Sequence, residues 1–173
     1  MKYISKYKSP LGNILMSGNE NGLSGLWIDG QKHFAHRLGD ETEECELPVF
    51  KQTKKWLDIY FSGLNPDFMP KFDMTGTAFQ TEVWKLLLEI PYGRTATYGG
   101  IAKKIASRRG IGKMSAQAVG GAVGRNPISI IVPCHRVVGT NGSLTGYDGG
   151  IDKKEKLLLL EKADLSNVFD DFN

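Results

Sequence analysis

Cys134 and His135 stand side by side in the run Ile130-Ile131-Val132-Pro133-Cys134-His135-Arg136-Val137-Val138. A histidine within reach of a thiol can take its proton and leave a thiolate, the form of cysteine that attacks carbon. The run before the pair is apolar and β-branched, which predicts a buried strand ended by Pro133. The thiol is then expected at a strand end, where loops and chemistry gather. Two facts weigh against reading chemistry from adjacency alone. Free cysteine often serves as a small buried hydrophobe, and neighbouring side chains on a strand point to opposite faces. His135 can serve Cys134 only if the backbone bends between them.

The segment around this pair has an unusual charge. From Ile90 to Tyr147, a stretch of 58 residues, there is no Asp or Glu, against eight Lys and Arg. The whole chain carries 22 basic and 19 acidic residues, so the formal excess is only three and the charge is sorted along the sequence. A basic segment free of acids attracts a polyanion, because each phosphate it neutralises releases a counterion. A solvated basic surface with no ligand would have the same composition, so position in the fold must decide.

Composition limits the other classes. At 173 residues, 40% hydrophobic and 24% charged, the chain is ordinary for a globular protein and can build one good core or two small domains. No apolar run approaches the roughly 20 residues that span a bilayer, so no membrane partner is expected. The opening residues lack a signal-peptide core. Two cysteines, Cys45 and Cys134, and three histidines show no ligand spacing, which predicts neither a disulfide scaffold nor a metal site. A reduced, cytoplasmic monomer is the expectation.

The elements that must position the pair follow from local signals. Residues 1–8, 13–17 and 23–28 read as antiparallel strands, joined by turns at Ser9-Pro10-Leu11-Gly12 and Asn19-Glu20-Asn21-Gly22. From Pro48 to Phe61 the residues Val49, Phe50, Thr53, Trp56, Leu57 and Tyr60 recur at helical spacing. The segment from Ser62 to Gly76 is rich in Gly and Pro and reads as a domain boundary. The expected fold is α+β: residues 1–73 form a small sheet-and-helix domain with a structural role, and residues 74–173 a mostly helical domain.

In the second part, Thr77 and Gln80 have the spacing of a capping box for a helix to about Ile90. Thr97 and Ser115 can cap two further short helices. The basic, glycine-rich turn from Arg108 to Lys113 separates them, which suggests a helix-turn-helix with the second helix reading DNA. That helix, from Ser115 to Gly124, holds Gly120, Gly121 and Gly124, each costing about 1 kcal/mol relative to alanine. Such a face either packs closely on another helix or enters a narrow groove such as the DNA minor groove, about 6 Å wide. Asn126-Pro127 breaks the helix. Asn141-Gly142 reads as a hairpin turn and residues 146–150 as a mobile loop. Asp152 to about Ala163 reads as a last helix with Asp152 and Glu155 at capping-box spacing, buried through residues 157–160. The tail after Leu165 is expected to fray.

Together these residues resemble the O6-alkylguanine-DNA alkyltransferases. The likeness rests on Pro133-Cys134-His135-Arg136-Val137, on Asn126-Pro127 before it and on Tyr147 with Gly149-Gly150 after it. It extends to Ala118-Val119-Gly120-Gly121-Ala122, Tyr98 and Glu161, dense from Phe79 to about Glu161 and only in outline before that. The resemblance implies a ribonuclease-H-like first domain and a partner, double-stranded DNA containing O6-alkylguanine, approached through the minor groove. The damaged base would be flipped out and its alkyl group moved irreversibly to Cys134, with no cofactor; O4-alkylthymine is a further substrate it allows. By the same resemblance His135 would accept the thiol proton, Glu161 would orient His135, Asn126 would brace the cysteine loop and Tyr98 would donate to the leaving base. Val137, Tyr147 and Asp148 would line the pocket. Ser115, Ala116, Gln117, Ala118, Gly120, Arg125 and Arg136 would meet DNA.

Two positions depart from the family. Gln117 stands where arginine is common, and can still fill the gap left by a flipped base, without a charge. Asp148 stands where a small residue is common. Three other functions compete with repair: a lesion-binding sensor that repairs nothing, a helix-turn-helix regulator, and a cysteine hydrolase. Relatives of the first kind lack the cysteine, and the third would turn over many times.

Overall fold

The computed structural model describes residues 2–31 and 38–173. The strand reading that began at Met1 therefore loses its first residue, and His33 and His36 lie outside the described residues. The chain divides into two compact units, Met1–Thr75 with Pro127–Ile131, and Gly76–Asn126 with Val132–Asn173. The discontinuity was not expected from the sequence.

The first unit is a four-stranded sheet with one helix. Strands β1 (Lys2–Ser9), β2 (Gly12–Asn19) and β3 (Gly22–Ile28) run antiparallel, and a short β4 (Thr42–Glu44) adds parallel to β1, giving the order β3-β2-β1-β4. The turn before β3 demands glycine: Gly22 has φ of 147°, and a Cβ there would stand 2.6 Å from the Lys71 carbonyl oxygen. Helix α1 (Pro48–Phe61) starts with proline at its first position and buries Phe50, Thr53, Trp56, Leu57 and Tyr60. Trp56 and Tyr60, four residues apart, stack at 5.1 Å.

Residues 127–131 explain why the apolar run does not form the expected strand. Their contact with β3 is an isolated bridge between Leu26 and Ile128. In it the Leu26 N–H donates to Pro127 O at 2.8 Å and the Ser129 N–H to Leu26 O at 3.0 Å. The chain then turns, and buried Ile130 takes φ of 70°. A β-branched residue rarely adopts that conformation, which costs on the order of 1–3 kcal/mol. The run is buried, as its composition demands, but it is a turning segment and not a strand.

In the second unit the capping signals are met by local bonds. Thr77 and Gln80 form a reciprocal capping box for α2 (Ala78–Leu87). Thr97 accepts from the Gly100 N–H to start α3 (Tyr98–Arg109), and Gly110, with φ of 65°, closes it. Ser115 accepts from the Ala118 N–H to start α4 (Ala116–Gly124). The Trp84 indole N–H donates to Ala122 O at 2.9 Å and ties α2 to α4. Helix α5 (Ile151–Leu160) departs from expectation. Its cap is Gly150 without a side-chain bond, so Asp152 and Glu155 form no capping box. Leu157 and Leu158 are buried but Leu159 is 68% exposed.

A small parallel sheet was not legible at all. Strand β5 (Arg94–Thr97) lies between β6 (Val137–Val138) and β7 (Asp164–Val168). The tail expected to fray therefore begins as a strand. The Phe169 N–H donates to Thr95 O at 2.7 Å, and Phe172 is buried with its ring 5.0 Å from that of Phe169. Asn141 and Gly142 make a tight turn with φ of 61° and 77°, and not a hairpin, because β6 before it pairs in parallel with β5.

Candidate active site

Cys134, His135 and Arg136 form one turn of 3₁₀ helix, with the Arg136 N–H donating to Pro133 O at 3.0 Å. At three residues per turn, successive side chains diverge by about 120°. This bend replaces the strand geometry that would have set Cys134 and His135 on opposite faces. Strand β6 follows at once and anchors the turn to β5. Cys134 is 7% exposed and His135 fully buried.

The second support is α5. Lys154, Leu157, Leu158 and Glu161 lie at i, i+3, i+4 and i+7, one helical face continued into its cap, and all four are buried. The leucines hold that face inside, and the lysine and glutamate are carried in with them. The Glu161 carboxylate meets His135 Nε2 at 2.6 Å. Burial acts to raise the Glu161 pKa, but the charges and hydrogen bonds of His135 and Arg136 outweigh it and hold the group well below 4.5. Glu161 is thus ionised and can only accept, so Nε2 carries the hydrogen and the lone pair sits on Nδ1. Burial keeps His135 below its ordinary 6.5, against the pull of Glu161 and with the push of Arg136 and Lys154.

Cys134 itself is a protonated thiol at neutral pH. Burial raises its pKa above 9.0; a hydrogen bond from Asn126 and the charge of Lys154 pull it down, and Asp148 pushes it up. Asn126 also donates through Nδ2 to Val132 O at 2.8 Å, two residues before Cys134. Tyr98 donates to Thr145 O at 3.2 Å, and its hydroxyl is raised above 10.0 by burial and by the neighbouring Cys134. Tyr147 is buried, and its ring requires Gly149, where a Cβ would come within 2.8 Å of Tyr147 Cε2. Asp148 is half-buried and close enough for its charge to act on the thiol.

Two residues differ from the sequence reading. Arg136, expected to meet DNA, points inward. It is 8% exposed, donates through Nε to Glu161 Oε1 at 2.8 Å and through Nη1 to Ile90 O at 2.8 Å, and lies 5.7 Å over the Tyr92 ring. An arginine so committed cannot also neutralise a phosphate. Lys154 was missed. Its ammonium donates to Val137 O at 2.5 Å and Thr145 O at 2.8 Å, 5.9 Å from the Tyr98 ring, and burial pushes its pKa down to about 8. One lone pair of the Val137 carbonyl, a residue expected to line the pocket, is therefore already used. The signal for Lys154 was its place on the Leu157-Leu158 stripe, three and four residues before the leucines.

Helix α4 presents a different surface. Ser115, Ala116, Gln117, Ala118, Gly121 and Arg125 are exposed, while Val119, Ala122 and Val123 face the core. A Cβ added at Gly121 or Gly124 would meet nothing within 4 Å, and one at Gly120 only the Tyr98 ring at 3.8 Å. Packing inside the unit does not explain these glycines.

Comparison with known proteins finds one family in both parts of the chain. The ribonuclease-like domain model of 6-O-methylguanine DNA methyltransferase matches residues 2–73, and the DNA binding domain model of the same family matches residues 78–163. A methylated-DNA–protein-cysteine methyltransferase of Methanosarcina acetivorans is 46% identical over 160 residues, covering 92% of this chain and 97% of its own. One of Mycobacterium tuberculosis is 44% identical over 156 residues, covering 90% and 89%. Among solved structures, Mycobacterium tuberculosis OGT in complex with DNA superposes with a TM-score of 0.81 at 41% identity, covering 92% of each chain. An O6-methylguanine DNA methyltransferase from Methanococcus jannaschii gives 0.63 at 29% identity, covering 98% of each.

Proposed function

The chain belongs to the 6-O-methylguanine DNA methyltransferase family of DNA-repair enzymes, and from that premise we propose that it removes alkyl groups from O6 of guanine in duplex DNA, once per molecule, onto Cys134. The observation that carries this reading is the buried Cys134, His135 and Glu161 arrangement, with the His135–Glu161 contact at 2.6 Å. It is the logic of a thiol, a base and an orienting acid.

Helix α4 enters the minor groove with its glycine face, and the damaged base leaves the stack for the pocket beside Cys134. Unstacking costs a few kcal/mol, less for a lesion that pairs badly. His135 Nδ1 takes the Cys134 proton, directly or through one water. The thiolate displaces the alkyl carbon, forming S–C and breaking C–O6, and the electron pair leaves with the base. Tyr98 gives its hydrogen bond to the base edge as negative charge builds there, releasing Thr145 O, which Lys154 still holds. The product is a thioether, a stable bond that no group among the described residues beside Cys134 is suited to cleave, and each molecule acts once.

Intact mass and peptide mapping after mixing with a duplex containing one O6-methylguanine test this directly. The expected result is one added methylene on the Cys134 peptide, saturating at one per chain. Binding to the lesion without any mass gain would favour a sensor, and repeated turnover a hydrolase.

Gln117 gives a second prediction. It is exposed on α4, where it can fill the space of the flipped base. Gln117→Ala should weaken binding to lesion duplex by about 1 kcal/mol, roughly fivefold, through one lost hydrogen bond. Gln117→Arg should tighten it and raise the salt slope by about one, as one more cation meets the backbone field. Binding titrations at several salt concentrations would measure both, and unchanged affinity in both variants would remove Gln117 from the interface.

A further inference from the structure

The carboxylate of Glu161 is completely occupied. Oε1 accepts from Arg136 Nε at 2.8 Å and from the Gly93 N–H at 3.1 Å. Oε2 accepts from His135 Nε2 at 2.6 Å and from Arg136 Nη2 at 3.2 Å. A carboxylate offers about four acceptor positions, and Arg136 takes two of them as a fork, the strongest geometry available to such a pair. The guanidinium is fixed in turn by Ile90 O and the Tyr92 ring.

We propose that Arg136 is a positioning residue for alkyl transfer: its guanidinium takes up the Glu161 carboxylate, so that His135 gives Nε2–H to that carboxylate and keeps a bare Nδ1 for the Cys134 proton. This rests on the reading of His135 as the base. The charge arithmetic around His135 supports it. The charged and titratable groups that act on it are Glu161 at the end of α5, Lys154 within α5 and Arg136 from its own turn, with Tyr92 beside Glu161 and Arg136. One negative charge meets two positive ones, so a third positive charge on the imidazole is opposed. Without Arg136, the carboxylate would be free to draw a proton onto buried His135. An imidazolium donates from both nitrogens and cannot accept from a thiol. The fork thus decides whether the histidine beside the thiol is a base or a counter-ion.

The test compares the unsubstituted protein with Arg136→Met and Arg136→Lys. Imidazole ¹⁵N resonances, with His135 assigned by comparison with His135→Asn, give its tautomer and titration midpoint. Single-turnover methyl transfer from O6-methylguanine duplex, read by mass on Cys134, gives the pH profile. In the unsubstituted protein Nε2 should be protonated and Nδ1 bare at neutral pH. In Arg136→Met the His135 midpoint should rise by about one unit or more, and the acid limb of the transfer profile should rise with it. Arg136→Lys keeps the charge but not the fork, so the midpoint should stay while the rate drops at every pH. A folded Arg136→Met protein with an unmoved midpoint overturns the proposal. So does an imidazolium, or a protonated Nδ1 with bare Nε2, in the unsubstituted protein at neutral pH, a result that stands even if Arg136→Met does not fold. The mass reading reports separately whether Cys134 is alkylated at all, so failure of the alkyl-transfer reading is seen apart from failure of the positioning role.

Discussion

Cys134→Ser should abolish alkyl transfer, by at least about 10⁴-fold in the single-turnover rate, while leaving affinity for lesion DNA within about threefold. Serine keeps the size of the side chain and its reach to Asn126, but a hydroxyl is a far weaker nucleophile than a thiolate at neutral pH. The unsubstituted thiol already begins from a difficult position, pushed above 9.0 mainly by burial. Transfer by the natural protein should therefore accelerate as pH rises from 6 toward 9, as both the bare imidazole and the thiolate become more accessible. Quench-flow with labelled O6-methylguanine duplex measures the rate, and a binding titration the affinity. Label on the Cys134→Ser protein, at Cys45 or elsewhere, would remove Cys134 from its assigned role. Cys45→Ser should transfer at the natural rate.

Glu161→Gln should cost both activity and stability. The carboxylate is buried and serves His135 and Arg136 at once. The amide offers one acceptor oxygen in place of two and no charge, so Arg136 is left buried without its counter-ion. Breaking a buried pair in this way costs about 3–5 kcal/mol. For a chain of this length each kcal/mol lowers Tm by roughly 2–4 °C, so a fall of about 10 °C is expected. Transfer should slow by about 10²–10³-fold, since His135 loses the group that fixes its tautomer. The stability gap also has a definite pH dependence. Glu161 has a depressed pKa in the fold, so its contribution is present above the ordinary 4.5 and is lost as pH falls through the folded value. The natural protein should be more stable than the variant at pH 7, and the two should converge in acid. Thermal melts from pH 7 downward measure this. A gap that stays constant with pH would show that Glu161 acts by packing and not by charge.

The two expected effects depend on features of different legibility. Cys134 and His135 stand out by type and adjacency, Asn126 and Glu161 only through the family resemblance, and the structure sets Asn126 against Cys134 and Glu161 against His135. The caps at Thr77, Thr97 and Ser115 were equally plain, because a cap is a bond between residues two or three apart and its partners are written beside it. The α1 stripe and the antiparallel strands of the first unit were legible for the same reason, since period and turn chemistry are local.

What resisted reading was set by distant partners. Residues 127–134 look like a strand in composition, yet residues 127–131 join β3 by an isolated bridge and 134–136 form a 3₁₀ turn. Strands β5, β6 and β7 are two to five residues long and pair in parallel across dozens of residues, so no local pattern marks them. Arg136 and Lys154 read as surface cations in a basic segment and on a charged helix. The fold turns both inward, where Glu161 compensates the first and the carbonyls of Val137 and Thr145 the second. Local chemistry was enough to mark Cys134 and His135 as a candidate thiol and base and to place the caps of α2, α3 and α4, because the partners of such features stand close together in the chain. Only the tertiary structure decided which cations serve the site and which remain outside, because a buried charge is tolerated only where partners far away in the chain receive it.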